Sequence, residues 1–533
     1  MPAASPHTAG RVRRVMAVLI AAGAVSAGML GCAHASASSR STDLPTPLAA
    51  HTGDIPADFV GLSLEWTLVE RYMGPKARPA FANLLRNLGS GVLRIGGSSQ
   101  DLLPFEPVAA NTNRVITNDD LADIRTTLDS VNSGGSPSWR VILGTAMAPR
   151  RAWVAPDHAR RFTEAGVAHV FPGAAAGDVA GIELGNEPDV SYEASAGRYL
   201  RDFAAFSGAT APFPIVAPNT SEVIAPWARV DAHEVRERSW DWTKLLDAIA
   251  PDVRTRGGFA TGHFYPVARR CSADPYRCAT VARLLSHERM ANLRYAVYKH
   301  AREAARRGLR YRVEELNSAA NRGVHGVSDV AASAIWALDA MFNAACPQPP
   351  DDAAANDTCD TGAVGVNFHD AEVRAFSVPE EGNAYYNPIA YDSTPAMGAP
   401  TAAPEYYALL LFARLAQGTH DLRRLTVPAE SVSAWRVDAD PAERRLFLIN
   451  KGDRAVTVRL ALPATSYLID RMTPHDPSGR GRTLDAPEVR IDGSRVATDG
   501  TWPGFRPENG EHNGGQLRIR LRAGEATVVR AGA

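Results

Sequence analysis

The 533 residues are too many for one small core, and with 45% apolar residues they can build a barrel-sized domain with a smaller one beside it. Lys+Arg number 57 and Asp+Glu 58, a formal net charge of -1. That balance speaks against a nucleic-acid partner and gives no net positive field for a sulfated polyanion, leaving room only for a local basic groove.

Arg11, Arg13 and Arg14 precede an Ala-rich apolar run from Val15 to Met29, too short to span a membrane comfortably. This is the pattern of an export signal, with cleavage fitting after Ala35 or Ala37. Met29-Leu30-Gly31-Cys32 resembles a bacterial lipoprotein box. The mature chain is therefore expected outside the cytoplasm: secreted, periplasmic or at the cell surface, with a lipid on Cys32 as the one membrane link. Residues 1–37 read as the signal and 38–58 as a Ser/Thr/Pro-rich linker and lead-in.

Phe59 to Trp66 then reads as a first strand ending in a carboxylate, Glu65. Phe81, Leu84, Leu85 and Leu88 lie at helical spacing, predicting a helix over Ala80 to Leu88. Gly91 to Gly97 is a second strand closed by glycines. Further strands fit at Arg140 to Ala146, Val179 to Glu187, Pro214 to Asn219, Gly258 to Tyr265, Arg310 to Leu316 and Ala363 to His369. Helical patterns fall at Trp240 to Ile249, Val281 to Arg307 and Asp329 to Asn343, and the helix after the third strand is the faintest. Eight strands with interleaved helices predict a (β/α)8 barrel over residues 59–403. Glu405 to Ala416 reads as a last helix. From Leu425 onward short alternating strands predict an antiparallel β-sandwich, so that 404–533 forms a second domain, with Gly493 to Gly515 as a long loop.

Besides Cys32 the chain has Cys271, Cys278, Cys346 and Cys359. Each local pair, Cys271–Cys278 and Cys346–Cys359, brackets a polar, Pro-containing loop, and in an exported chain both are expected as disulfides. A zinc site is the alternative, although the spacings differ from CxxC and no His separates either pair.

The chemistry gathers at two strand ends. Val179 to Leu184 runs into Gly185-Asn186-Glu187-Pro188, which sets an amide beside a carboxyl at the C-terminal end of the fourth strand. Catalytic groups of a (β/α)8 barrel sit at that end. A glycosidase needs two carboxyl groups flanking the scissile bond. The second comes from Val313-Glu314-Glu315-Leu316-Asn317 on the seventh strand. Neighbours on a strand face opposite sides, so one of Glu314 and Glu315 should enter the barrel mouth and the other should meet helices or an Arg.

These stretches resemble the retaining glycosidases built on (β/α)8 barrels, and among them glycoside hydrolase family 79, the β-glucuronidase and heparanase family. The likeness rests on Arg94-Ile95-Gly96-Gly97-Ser98-Ser99-Gln100-Asp101, Gly185-Asn186-Glu187-Pro188-Asp189, Glu315-Leu316-Asn317-Ser318, Gly326-Val327-Ser328-Asp329 with Ala334 to Asp339, and Tyr386-Asn387-Pro388-Ile389. It implies Glu187 as acid/base, Glu315 as nucleophile and no acid role for Glu314. Substrate contacts are expected from Asn186, Glu65, Arg94, Tyr265, Tyr386, Asn317, Asn321 and Arg322, and a nucleophile that must stay ionised needs donors, which Tyr265, Arg94 or Asn186 can supply. The heparanase branch carries a Tyr-Gly pair after the nucleophile where this chain has Ala320-Asn321-Arg322-Gly323, closer to the microbial glucuronidases. Arg322 is either the charge that meets a uronate or a solvated loop residue. His263 is expected to make a structural bond, and Glu65 to bond a sugar hydroxyl or orient Arg94. Trp66, Trp153 and Trp227 either stack on sugars or pack.

The expected activity is exo-β-glucuronidase. The alternatives are an endo-β-glucuronidase on glycosaminoglycans and a surface carbohydrate-binding protein without activity. A monomer acting on a β-glucuronide or related uronic-acid glycoside is expected, with no metal, no cofactor and no nucleic acid.

Overall fold

A computed structural model describes residues 41–43 and 53–532, except 110–113, 136–137, 150, 194, 222–239, 272–274, 348–358, 360–361, 373–383, 392–397, 441–442, 462–465, 480–482 and 512–515. The export signal, Cys32 and Trp227 lie outside the described residues.

Eight parallel strands close into a barrel: β1 Val60–Glu65, β2 Gly91–Gly96, β3 Trp139–Thr145, β4 Val179–Leu184, β5 Ile215–Thr220, β6 Phe259–Phe264, β7 Arg310–Leu316 and β8 Val366–Asp370. They run in chain order around the ring, and β8 closes it between β7 and β1. Helices follow: α1 Arg78–Leu88 after β1, α2 Asn118–Asn132 after β2, α3 Ala196–Ala209 after β4, α4 Trp242–Thr255 after β5, α5 His287–Ala305 after β6, α6 Ala331–Ala345 after β7 and α7 Pro404–Leu415 after β8. The faint helix after β3 is Pro156–Arg161, continued by a wider-wound turn at Phe162–Val167. The predicted helix from Val281 to Arg307 is broken in two, Val281–Leu284 and His287–Ala305. Ser286 adopts an extended conformation there and its side chain accepts from Arg289 N, so it caps the second helix.

Val92, Ile142, Ala180, Val216 and Phe259 form an apolar cluster of their own, one residue from each of β2 to β6. Inward positions nearer the strands' C-terminal ends carry polar groups instead: Ser63, Arg94, Glu183, Asn219, Thr261, His263, Glu315 and His369, all buried. That exchange of apolar floor for polar mouth marks the functional end.

The second domain is antiparallel. Strands β9 His420–Leu425, β10 Val432–Asp440, β11 Glu443–Asn450, β13 Ser466–His475, β14 Glu488–Ile491, β15 Glu508–Glu511 and β17 Ala526–Gly532 form a seven-stranded sheet. Strands β12 Val456–Ala461 and β16 Gln516–Leu521 form a second sheet with Ser41–Asp43, a segment the sequence presents as linker. Alternation along the strands splits the apolar residues. Val432, Ala434, Leu446, Leu448 and Val529 join Val458, Leu460 and Ile519 between the sheets. Trp435, Val437, Phe447, Ile449 and Val528 join the barrel's core instead. Strand β15 lies inside the stretch read as a long loop. Among the described residues no helix is long and apolar enough to cross a membrane. Both expected disulfides are formed, Cys271–Cys278 and Cys346–Cys359.

Candidate active site

Strand β4 ends in a forced turn. Gly185 has φ 76°, and Glu187 itself is left-handed at φ 45°, ψ 61°. A non-Gly residue in that region stores backbone strain, which concentrates at functional sites. The backbone N–H of Glu187 donates to Asn219 O at 3.2 Å, tying the turn to the end of β5. The two buried oxygens of Asp101 accept from the N–H groups of Met147 (2.9 Å), Ala148 (3.2 Å) and Asn186 (3.1 Å). Asp101 therefore pins the end of β4 to the segment after β3. Burial raises its pKa to about 6 against the pull of those three donors.

Strand β7 delivers the second carboxyl, by a route the two-residue alternation does not foresee. On the β6 side Val313 pairs with Gly262 and Glu315 with His263; on the β8 side Val313 pairs with Val366 and Leu316 with Phe368. Glu314 is the extra residue of a β-bulge. It does not turn outward to the helices, as alternation predicts. It is fully buried inside the barrel against Glu183, Arg94 and Thr261, and its oxygens make no hydrogen bond of standard geometry. Burial first, and then the neighbouring Glu183, push its pKa well above the ordinary carboxylate value, so the acid form is favoured.

Arg94, also fully buried, joins these groups. Its Nε and Nη2 grip both oxygens of Glu183 at 2.6 Å each. Its Nη1 donates to Ser63 Oγ at 2.9 Å and to Glu315 Oε2 at 2.6 Å, and Nη2 also donates to Asn186 Oδ1 at 2.8 Å. All five guanidinium donors are thus engaged. Tyr265 Oη donates to the other oxygen, Glu315 Oε1, at 2.6 Å. Burial would raise the pKa of Glu315, but His369, His263 and Arg94 and the Tyr265 hydroxyl outweigh it and hold it well below the usual range. Burial and Glu315 in turn keep the Tyr265 phenol protonated.

Glu187 and Glu315 face each other across His263. The His263 Nδ1 lies 3.2 Å from Glu187 Oε1 and 3.7 Å from Glu315 Oε2. The three groups offer atoms all within 4.8 Å of one another. The Glu187 side chain is 28% exposed and that of Glu315 9%. One carboxyl therefore opens to solvent while the other is enclosed among fixed donors. These three groups could also face a cation, but both Glu315 oxygens already accept from Arg94 and Tyr265.

Several expected residues sit elsewhere in the arrangement. Glu65 does not orient Arg94. It accepts from Ser98 N at 3.1 Å, Ser99 N at 2.7 Å and Ser99 Oγ, and stands 3.6 Å from His369 Nε2. A Cβ on Gly97, at φ 70°, would lie 2.5 Å from the Glu65 carboxyl carbon, so this turn requires glycine. Asn317 is fully buried and donates to His369 O and Tyr386 O at 2.8 and 3.0 Å, tying the end of β8 to the Tyr386 segment. Asn321 is an exposed turn residue at φ 62°. Tyr386 is buried, stacked on Tyr265 with ring centroids 6.1 Å apart. Arg322 is not solvated but 6% exposed. Trp66 packs against Phe162 and donates to Gly144 O, and Trp153 lies against His158. Sequence reasoning missed Ser63, Glu183 and His369. Burial lowers the His369 pKa, but Glu315 and Glu65 outweigh this and raise it, favouring the charged ring beside Glu315.

Several solved structures share this architecture. A 4-O-α-L-rhamnosyl-β-D-glucuronidase from Fusarium oxysporum 12S matches with a TM-score of 0.66 at 17% identity, over 92% of this chain and 100% of that one. The chain has the fold of a glycoside hydrolase. A family 51 α-L-arabinofuranosidase from Bifidobacterium longum matches with a TM-score of 0.56 at 14% identity, over 92% and 99% of the two chains. A monomeric β-xylosidase from Caulobacter crescentus CB15 matches with a TM-score of 0.54 at 12% identity, over the same shares. No protein-family model and no curated protein matches the sequence.

Proposed function

We propose that this chain is an exported retaining β-glycosidase of the family 79 type, an exo-acting β-glucuronidase, with Glu315 as nucleophile and Glu187 as acid and base. One observation carries the reading: carboxyl oxygens of Glu187 and Glu315 lie within 4.8 Å of each other at the ends of strands β4 and β7. Retaining sites place their carboxyl groups about 5–5.5 Å apart, while inverting sites need about 6.5–9.5 Å to admit a water.

Glu315, held as the anion by Arg94 and Tyr265, attacks the anomeric carbon. The bond to the aglycone oxygen breaks as Glu187 hands that oxygen its proton, leaving a glycosyl ester on Glu315. A water then enters on the solvent-facing Glu187 side, gives its proton to Glu187 and attacks the same carbon, and Glu315 leaves as the carboxylate. Arg94 can only donate, so it fixes the Asn186 amide with Oδ1 toward the guanidinium. That leaves Nδ2 for the sugar 2-hydroxyl, where bonding strengthens in the transition state. The glucuronide assignment is supported by the family-type motifs and by the Fusarium enzyme, whose structure holds Rha-GlcA.

Glu315→Gln should reduce turnover of an aryl β-glucuronide by at least about 10³-fold, as loss of a nucleophile does. Glu187→Gln should spare the first step on an activated leaving group far more than on an alkyl glucuronide. Equal damage on both substrates would show that Glu187 is not the acid. Release of the β-anomer first, followed by proton NMR, reports retention, and the α-anomer would refute the mechanism.

A further inference from the structure

Arg94 shows how this site treats a buried guanidinium: every donor is filled, and the edge formed by Nε and Nη2 grips a carboxylate with both oxygens. Arg322 is also buried, yet its Nε and Nη2, the same edge, have no partner. A charged fork withdrawn from water with that edge idle is costly unless an anion completes it. Its shape fits a carboxylate bound side-on through two parallel hydrogen bonds.

The chain goes to some length to hold Arg322 there. Asn321, Arg322 and Gly323 follow one another at φ 62°, 73° and 73°. Two of the three are non-Gly residues in the left-handed region, and such strain persists only where the surroundings enforce it. Arg322 O accepts from Tyr385 N at 2.8 Å, and a Cβ on Gly323 would meet Tyr386 N at 2.8 Å. The guanidinium is close enough for its charge to act on the Tyr386 phenol. Tyr386 stacks on Tyr265, which hydrogen-bonds the Glu315 nucleophile. Arg322 therefore lies beside Tyr386, one ring away from the Tyr265 that holds Glu315.

We infer that Arg322 is the specificity residue of the site: its Nε–Nη2 edge binds the carboxylate that a uronic acid carries at C5, and this selects uronides over neutral hexosides and pentosides. The inference rests on the glycosidase reading above and adds to it the group that recognises the sugar.

Aryl β-glucuronide and aryl β-glucoside, assayed side by side on the full chain, provide the test. The wild type should prefer the glucuronide. Arg322→Met should lower kcat/KM for the glucuronide by about 10²–10³-fold and change the glucoside much less, because a site built to bond a group loses most when that bond is gone. Arg322→Lys keeps the charge but not the fork, and should fall between; it also reads the effect if the Met variant does not fold. A glucuronide-to-glucoside ratio unchanged in Arg322→Lys and Arg322→Met, or a wild type that prefers the glucoside, would overturn the assignment while leaving the glycosidase intact. No hydrolysis of any aryl glycoside by the wild type would instead remove the glycosidase reading itself.

Discussion

Two consecutive glutamates in this molecule have opposite protonation preferences. Glu315 is held ionised by fixed donors, and Glu314, one residue earlier, is favoured as the neutral acid beneath it. A neutral Glu314 leaves two carboxylates, Glu183 and Glu315, facing two cations, Arg94 and the charged His369 ring, whereas an ionised one adds a third negative charge. Glu314→Gln should therefore keep most of the activity, while Glu314→Ala should open a hole beneath Arg94 and lower kcat by about 10-fold or more. The pH dependence has a definite sign. The folded pKa of Glu314 lies above its unfolded value, so its contribution to stability is complete below the unfolded pKa and is lost as pH rises through the folded one. Glu314→Gln should thus become more stable relative to wild type as pH rises, measured by urea melts at acid and alkaline pH. A constant difference would mean that Glu314 is not the titrating group. Glu187, Glu315, Arg94, Asn186 and Tyr265 were legible because each lies in a stretch whose residue types point to one chemistry. Of the two surroundings open to Glu314, helices or an Arg, it has the Arg, Arg94, but inside the barrel, because a two-residue period contains no bulge. Glu183 had a usable signal, a charge inside an otherwise apolar strand, and so had His369, a polar side chain at a barrel strand's end.

Long periodic segments revealed the barrel. All eight of its strands were readable, with ends differing by up to three residues, since hydrogen bonding rather than composition sets where pairing stops. The second domain was less legible at its margins. His420–Leu425 is dense in charge, Glu488–Ile491 has four residues, and Glu508–Glu511 sits in a Gly- and Pro-rich run. Each is a strand only because a neighbour pairs with it. Partnership also governs the loops above the site. Val267–Ala268, after β6, pairs with Ala319–Ala320, after β7, and Arg269 N donates to Ala320 O at 3.0 Å. Ala268 is bridged in turn to Cys278, which the disulfide ties to Cys271. The covalent link thereby braces the segment that leads into Arg322. Replacing both Cys271 and Cys278 by Ser should cost about 2 kcal/mol of stability, the loop-closure value for so short a loop. It should also raise KM for the glucuronide more than it lowers kcat. An unchanged KM would show that this loop folds onto its partner without the link.

One sheet of the sandwich also packs its other face against the barrel's core, and this shapes the stability of the whole chain. The seven-stranded sheet places alternate side chains in two cores, so Trp435 stacks on Phe342 of α6 with ring centroids 5.4 Å apart, while Ala434 beside it faces the second sheet. Within that apolar contact lies a charge. Asp339 of α6 is fully buried, and it accepts from Lys451 Nζ at 2.8 Å and Ser433 Oγ at 3.1 Å. Burial alone would raise the Asp339 pKa, but Lys451, Arg424 and Ser433 together lower it. Its contribution is therefore present above the unfolded pKa and lost as pH falls through the folded value. Removing one partner of a buried pair leaves a bare charge, which costs roughly 3–5 kcal/mol, whereas replacing both costs far less. Lys451→Met should accordingly destabilise by about 3 kcal/mol at neutral pH, the lower end because Arg424 still acts on Asp339. The loss should shrink as the pH falls far enough for Asp339 to take up a proton. Asp339→Asn combined with Lys451→Met should recover most of it. Urea unfolding of the full chain measures all three, and a neutral-pH loss below about 1 kcal/mol would show that the apolar faces alone hold the two domains together.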